Sequence, residues 1–170
     1  MYNRRTDRQL LFPSAGAFDA FLDLMEEAVD RFAVRICAYC VMKTHWHQAI
    51  WVTEDGGTAV VRYLQWLSGT HAVRFRIASR TRGLGHVYQD RYNAKAVTTP
   101  AYYFQLVRYI EANPVSAGLV QRAEEWEWSS LAERTNYLRR ILSDGPIPLP
   151  TNWIEIVNAG FQPDGEIAAL

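Results

Sequence analysis

Residues 34–52 read VRICAYCVMKTHWHQAIWV. In a strand, successive side chains alternate faces. Val34, Ile36, Ala38, Cys40 and Met42 fall in one row, which predicts a strand over 34–42 with one strongly apolar face. Lys43-Thr44 is a short link into a second apolar run, so the two strands are expected to pair as a hairpin. In the second run His45, His47, Ala49 and Trp51 share one face, and Trp46, Gln48, Ile50 and Val52 share the other. Two imidazoles one residue apart point the same way, with Cα atoms roughly 6–7 Å apart. That spacing suits one divalent metal, although an HxH pair on a strand also arises incidentally.

The flanking chain predicts what this hairpin packs against. Phe18, Phe21, Leu22, Met25, Val29 and Phe32 recur at helical spacing, which predicts a helix over 18–32. Asp19 and Asp23 are expected in its first turns, where the helix dipole favours them. Residues 54–57 (EDGG) make a loop, and Val60, Val61, Leu64, Leu67 and Phe75 mark a second helix over 58–76. RTRGLG, 80–85, is a basic loop, and 86–97 alternates as a strand. Only about residues 1–4 remain for a first strand, which is expected to be a stub. The order (β)αββαβ predicts an α+β, ferredoxin-like (RRM-like) antiparallel sheet with two packed helices. Thr99 as N-cap and Pro100 at the first helical position start an additional helix, which Asn113-Pro114 is expected to end or kink. Ser129 or Ser130 is expected to cap a short helix over 131–134. Residues 143–150 are Pro- and Gly-rich and read as linker, with a last short helix over 152–159 and a tail beyond. One domain over 1–142 followed by linker and tail is the expected organisation.

Composition limits the partners. The chain has 170 residues, 49 % hydrophobic, enough for one real core. Formal net charge is zero, which argues against a nonspecific polyanion binder. Of 18 Lys and Arg, only Lys43 and Lys95 are lysines, and Arg is the residue that forks onto phosphate and stacks on bases. Arg4, Arg5 and Arg8 form one cluster; Arg74, Arg76, Arg80 and Arg82 form a second. Either cluster is also compatible with a solvated face. Cys37 and Cys40 are three apart in a strand and are expected on opposite faces, so they would not chelate together. Two spare thiols with no disulfide framework suit a reducing cytoplasm. No apolar run approaches about 20 residues, so no membrane span is expected. The opening MYNRRTDRQ has no signal-peptide core.

On the helix after residue 99, Tyr102, Leu106, Tyr109 and Asn113 fall within one broad face, and Tyr109 and Asn113 are one turn apart. A phenol beside an amide on such a helix is suited to complete the His pair, with Asn113 as a third metal ligand through its carbonyl oxygen. Tyr109 would then be a nucleophile aimed at a metal-polarised phosphate. A tyrosine on an amphipathic helix is also commonly core or surface, and Asn before Pro is commonly a helix stop. His71 and His86 read as ordinary residues.

The segments THWHQAIW, GHVYQDRYNAKAV, YYFQLVRYIEANPVSAGLV and WEWSS resemble the single-tyrosine HUH transposases of the IS200/IS605 type, in the REP-associated branch. YNRRTDRQLLF resembles that family's segment just after its first strand. The resemblance covers roughly residues 2–131, and HxH followed by RYIxxNPVxAGLV is the specific combination. It implies a metal-dependent, single-stranded DNA endonuclease and transposase working beside a hairpin of the repetitive extragenic palindrome type. Tyr109 would be the catalytic nucleophile, forming a 5′-phosphotyrosine. His45, His47 and Asn113 would bind Mg²⁺ or Mn²⁺. Arg4, Arg5, Arg8, Arg74, Arg76, Arg80, Arg82, Arg91 and Lys95 would contact DNA, with unpaired bases stacked on Trp or Tyr. The protein would be cytoplasmic, a monomer or a homodimer.

The sequence departs from the family in three places. The first strand is a stub, Lys43-Thr44 replaces a more usual Pro-Asn, and Glu111 stands where a basic residue or His is common. Glu111 is two residues from Tyr109, on a different helix face, and is not expected to ligate. Two other functions remain open: a catalytically silent hairpin-binding protein of the same fold, and a metal-binding RRM-like domain acting on RNA or a small phosphoester.

Overall fold

The computed structural model describes residues 1–4, 10–52, 57–81, 85–89, 92–136 and 139–160. The predicted hairpin is its centre. Strand β1 (Tyr2–Arg4), helix α1 (Ala15–Phe32), strands β2 (Arg35–Val41) and β3 (His45–Trp51) and helix α2 (Thr58–Ala78) come first. Helix α3 (Pro100–Ser116), a 3-10 turn (Ala123–Glu125), α4 (Ser130–Asn136) and α5 (Trp153–Asn158) follow. The sheet order is β1-β3-β2, antiparallel throughout, so the strand carrying the two histidines is the middle one.

The two faces of β3 take different partners. Trp46 and Gln48 face α1 and α2: the Trp46 ring lies 5.9 Å from Phe21, and Gln48 donates to the Tyr63 hydroxyl at 3.0 Å. α1 is amphipathic as expected, with Phe18, Phe21, Leu22, Met25 and Ala28 buried. It begins three residues earlier than expected, so Asp19 and Asp23 are not at its N-terminus. They serve instead as acceptors for Trp128 Nε1 (3.0 Å) and for Arg139. On α2, Val61 is exposed, against expectation, and His71 takes a buried place. The opposite face of β3, with His45 and His47, lies under α3.

The structure corrects three further expectations. The segment over 86–97 forms no named strand among the described residues. It contributes one antiparallel bridge, with Tyr2 and Asn93 exchanging both backbone bonds at 3.0 Å. Helix α3 runs through Pro114 to Ser116. Pro114 sits in the last turn, where its missing N–H removes a single bond, and Gly118 (φ 64°) closes the end in the left-handed region. The cysteines do not lie on opposite faces. A bulge between Ile36 and Ala38 shifts the alternation, Cys37 hydrogen-bonds Tyr103 of α3, and Cys40 lies opposite His47.

After residue 142 the chain still contributes to the core. Trp153 and Val157 of α5 are buried, and Ser143 N–H donates to the Ile36 carbonyl at 2.9 Å. No helix of the described residues is long and apolar enough to cross a membrane.

Candidate active site

β3 presents His45 and His47 to one side, with ring centroids 4.8 Å apart and planes at 87°. The Thr44 hydroxyl lies 3.0 Å from His45 Nδ1 and orients that ring. His47 is 3 % exposed. Burial, with the charges of His45 and the N-terminal ammonium adding to it, lowers the His47 imidazole well below its ordinary range. A neutral ring is the form that ligates a metal.

α3 supplies the tyrosine. Thr99 extends its backbone and accepts the Tyr102 N–H at 3.2 Å, and Pro100 fills the first turn. Tyr103, Leu106, Val107 and Ile110 are buried and set the helix on the sheet. Tyr109 then meets His47 edge-on, with centroids 5.5 Å apart and planes at 79°. The Asn113 side chain hydrogen-bonds the Tyr109 hydroxyl. Burial raises the Tyr109 phenol above its usual range, and the Asn113 bond acts against that rise. All four residues proposed for the chemistry from the sequence therefore lie together, in one chain.

Two neighbours carried no sequence signal. The Tyr2 ring lies 5.6 Å from His47, placed by the register Tyr2↔His47, and Cys40 is the partner of His47 across β2. Both positions depend on strand register, a long-range property. Glu111 does not join the pair; its carboxylate is engaged by α4 and α5.

Among the described residues no group of three His, Cys, Asp or Glu stands ready for a metal. The donor set here is two imidazoles with an amide oxygen one helix turn beyond the tyrosine. Imidazole suits several divalent ions, and an amide oxygen with water or phosphate oxygens suits Mn²⁺ or Mg²⁺, so this mixed set could hold such an ion with coordination positions left open.

Further along β3 an apolar cavity of about 710 Å³ opens, lined in part by Ala49, Trp51, Tyr103, Leu106 and residues 94–99. Lys95 stands exposed at its wall. The other basic residues divide. Arg76 donates to the Thr81 carbonyl at 2.6 Å and also to the Gly85 carbonyl, so it holds the turn after α2. Arg74 lies 3.7 Å from Glu27 with its side chain about half exposed. Arg80 is exposed at φ 55°. The Arg4 backbone lies in β1; its side chain and Arg5, Arg8, Arg82 and Arg91 lie outside the described residues.

The chain belongs to the IS200-like transposase family, whose model matches residues 6–113, a span that holds both histidines, Tyr109 and Asn113. Among solved structures, it resembles that of a REP-associated tyrosine transposase bound to a REP hairpin. That likeness has a TM-score of 0.61 at 20 % identity and covers 88 % of this chain and 86 % of the other. At that identity the likeness shows the shared fold. No curated protein matches the chain.

Proposed function

We propose that this protein is a metal-dependent single-stranded DNA endonuclease and strand-transfer enzyme that works beside a hairpin, as in the REP-associated branch of its family. The observation that carries this reading is the edge-on contact of Tyr109 with His47. That contact supports a phenol within reach of a phosphate held at the His pair.

In the first step the Tyr109 oxygen attacks the scissile phosphorus and its proton passes to water, while the bond to the 3′ oxygen breaks and that oxygen takes a proton from water. A 5′-phosphotyrosine and a free 3′-hydroxyl result. Because the phosphodiester is exchanged and not hydrolysed, a 3′-hydroxyl of another strand can reverse the step without ATP. Asn113 orients the phenol and favours its ionised form against the effect of burial. His45, His47 and Asn113 would hold Mn²⁺ or Mg²⁺, which when bound polarises the phosphate oxygens. Pair and tyrosine belong to the same chain, so a monomer suffices on this reading. Exposed Arg80, Arg74 and Lys95 are suited to phosphate contact, and the exposed part of Trp51 to an unpaired base. The cytoplasm, where chromosomal hairpins occur, is the expected compartment.

The test is incubation with labelled single-stranded hairpin DNA and Mn²⁺, followed by a denaturing gel. A protein–DNA band that is absent with EDTA and in Tyr109→Phe supports the reading. Hairpin binding without any band replaces it with a silent binding protein of the same fold.

A further inference from the structure

Glu111 has no exposed surface. Its carboxylate accepts three side-chain bonds: from Ser130 Oγ at 2.5 Å, Arg134 Nε at 3.0 Å and Trp153 Nε1 at 2.6 Å. Ser130 opens α4, Arg134 lies one turn further on, and Trp153 opens α5. Arg134 also donates through Nη2 to the Cys37 carbonyl of β2. One carboxylate thereby ties α3 to α4, to α5 and, through Arg134, to the sheet.

Glu111 stands two positions after Tyr109, which places their side chains roughly 200° apart around α3. Tyr109 looks down at His47 while Glu111 is clamped on the far side. A helix packed on a sheet by apolar contacts alone is free to roll slightly, because such contacts are non-directional. Charged hydrogen bonds from three donors are directional. We infer that Glu111 is the positioning residue for the tyrosine: its clamp on Ser130, Arg134 and Trp153 fixes the roll of α3 and so aims Tyr109 at His47 of its own chain. The inference rests on the proposed phosphotyrosine chemistry for its catalytic consequence. A roll of about 20° moves a group 5–6 Å from the axis by about 2 Å. Misplacement by about 1 Å costs on the order of 100-fold in rate.

The experiment uses the full chain labelled with 3-fluorotyrosine, as wild type, Glu111→Gln and Glu111→Ala. Three quantities are measured: hairpin affinity, the rate of adduct formation at saturating hairpin DNA with Mn²⁺, and the ¹⁹F resonance of Tyr109, assigned by its loss in Tyr109→Phe. The expected result is hairpin affinity near wild type and an adduct rate about 100-fold lower in Glu111→Ala. Glu111→Gln, whose single carbonyl oxygen keeps the acceptor shared by Ser130 and Arg134 but turns an amide NH2 towards Trp153, recovers part of the rate. The Tyr109 resonance moves while the other fluorotyrosines stay. An unchanged Tyr109 resonance overturns the inference, as does a parallel fall of rate, affinity and all resonances, which marks a merely structural loss. If the wild type itself gives no adduct, the functional reading fails. The ¹⁹F arm then decides the role of Glu111 alone. Should Glu111→Ala not fold, Ser130→Ala removes a single donor and is read by the same criteria.

Discussion

Tyr109 and His47 meet edge to face with their rings 5.5 Å apart, one from a helix and one from the middle strand of the sheet. The Tyr109 ring is half-buried, and its hydroxyl bonds Asn113 of its own helix. Tyr109→Phe therefore keeps the ring packing and changes stability by about 1 kcal/mol or less. It should abolish adduct formation and leave hairpin affinity near wild type. Adduct formation by Tyr109→Phe would transfer the nucleophile's role to another residue.

His45 and His47 are expected to share one ion. Each alone, changed to Ala, should weaken Mn²⁺ binding by at least about 100-fold, the upper end of the loss seen when even a residue supporting a ligand is removed. Asn113→Ala should weaken it less, since a neutral amide oxygen is a weaker donor. Titration calorimetry with Mn²⁺ on the DNA-free protein measures this directly. Equal affinity in wild type and His47→Ala would remove the histidines from the metal site.

His71 makes stability depend on acid. It is buried against Phe12 and Phe21, and its Nδ1 lies 2.6 Å from the Tyr88 hydroxyl. Burial, with the Arg74 charge adding to it, lowers its pKa from 6.5 to about 4. The unfolded chain takes up a proton near 6.5 and the folded one only near 4, so this stability is full above about pH 6.5 and is lost as the pH falls towards 4. The full loss amounts to about 3 kcal/mol, roughly 2.5 pK units at 1.36 kcal/mol each. Urea unfolding of His71→Phe at pH 7.5 and pH 4.5 should show a smaller drop than wild type. An identical drop would place the acid sensitivity elsewhere.

The basic residues after α2 should separate by salt dependence. Arg80 is exposed, and Arg80→Ala should lower hairpin affinity and reduce the slope of log K against log salt by about 1. Arg76 spends its guanidinium on two backbone carbonyls, so Arg76→Ala should loosen the turn and lower the melting temperature with little change in slope. A full unit of slope lost in Arg76→Ala would contradict this division.

What the sequence revealed and what it hid differ by range. The His strand, the β2–β3 pairing, the Thr99 cap and the one-turn spacing of Tyr109 and Asn113 are local patterns, and each was legible. Whether 86–97 pairs as a strand depends on the edge that Tyr2–Arg4 offers, which no local alternation reveals. Pro114 reads as a stop because its steric rule is local, yet burial of its ring holds it in the last turn of α3. Tyr2 beside His47 follows from register, and the donors around Glu111 come from residues 19 to 42 positions away. A glutamate two places from a tyrosine shows only that it faces elsewhere.

The outer edge of β2 is not bare. Val41 N–H donates to the Trp128 carbonyl at 2.9 Å, Cys40 bridges Ser129, and Ile36 bridges Leu142. An open strand edge is a template on which a second chain can add. With these positions already answered from within the chain, that side of the sheet is a poor seed for edge-to-edge aggregation, and unfolding of the 128–142 segment would be the event that creates one.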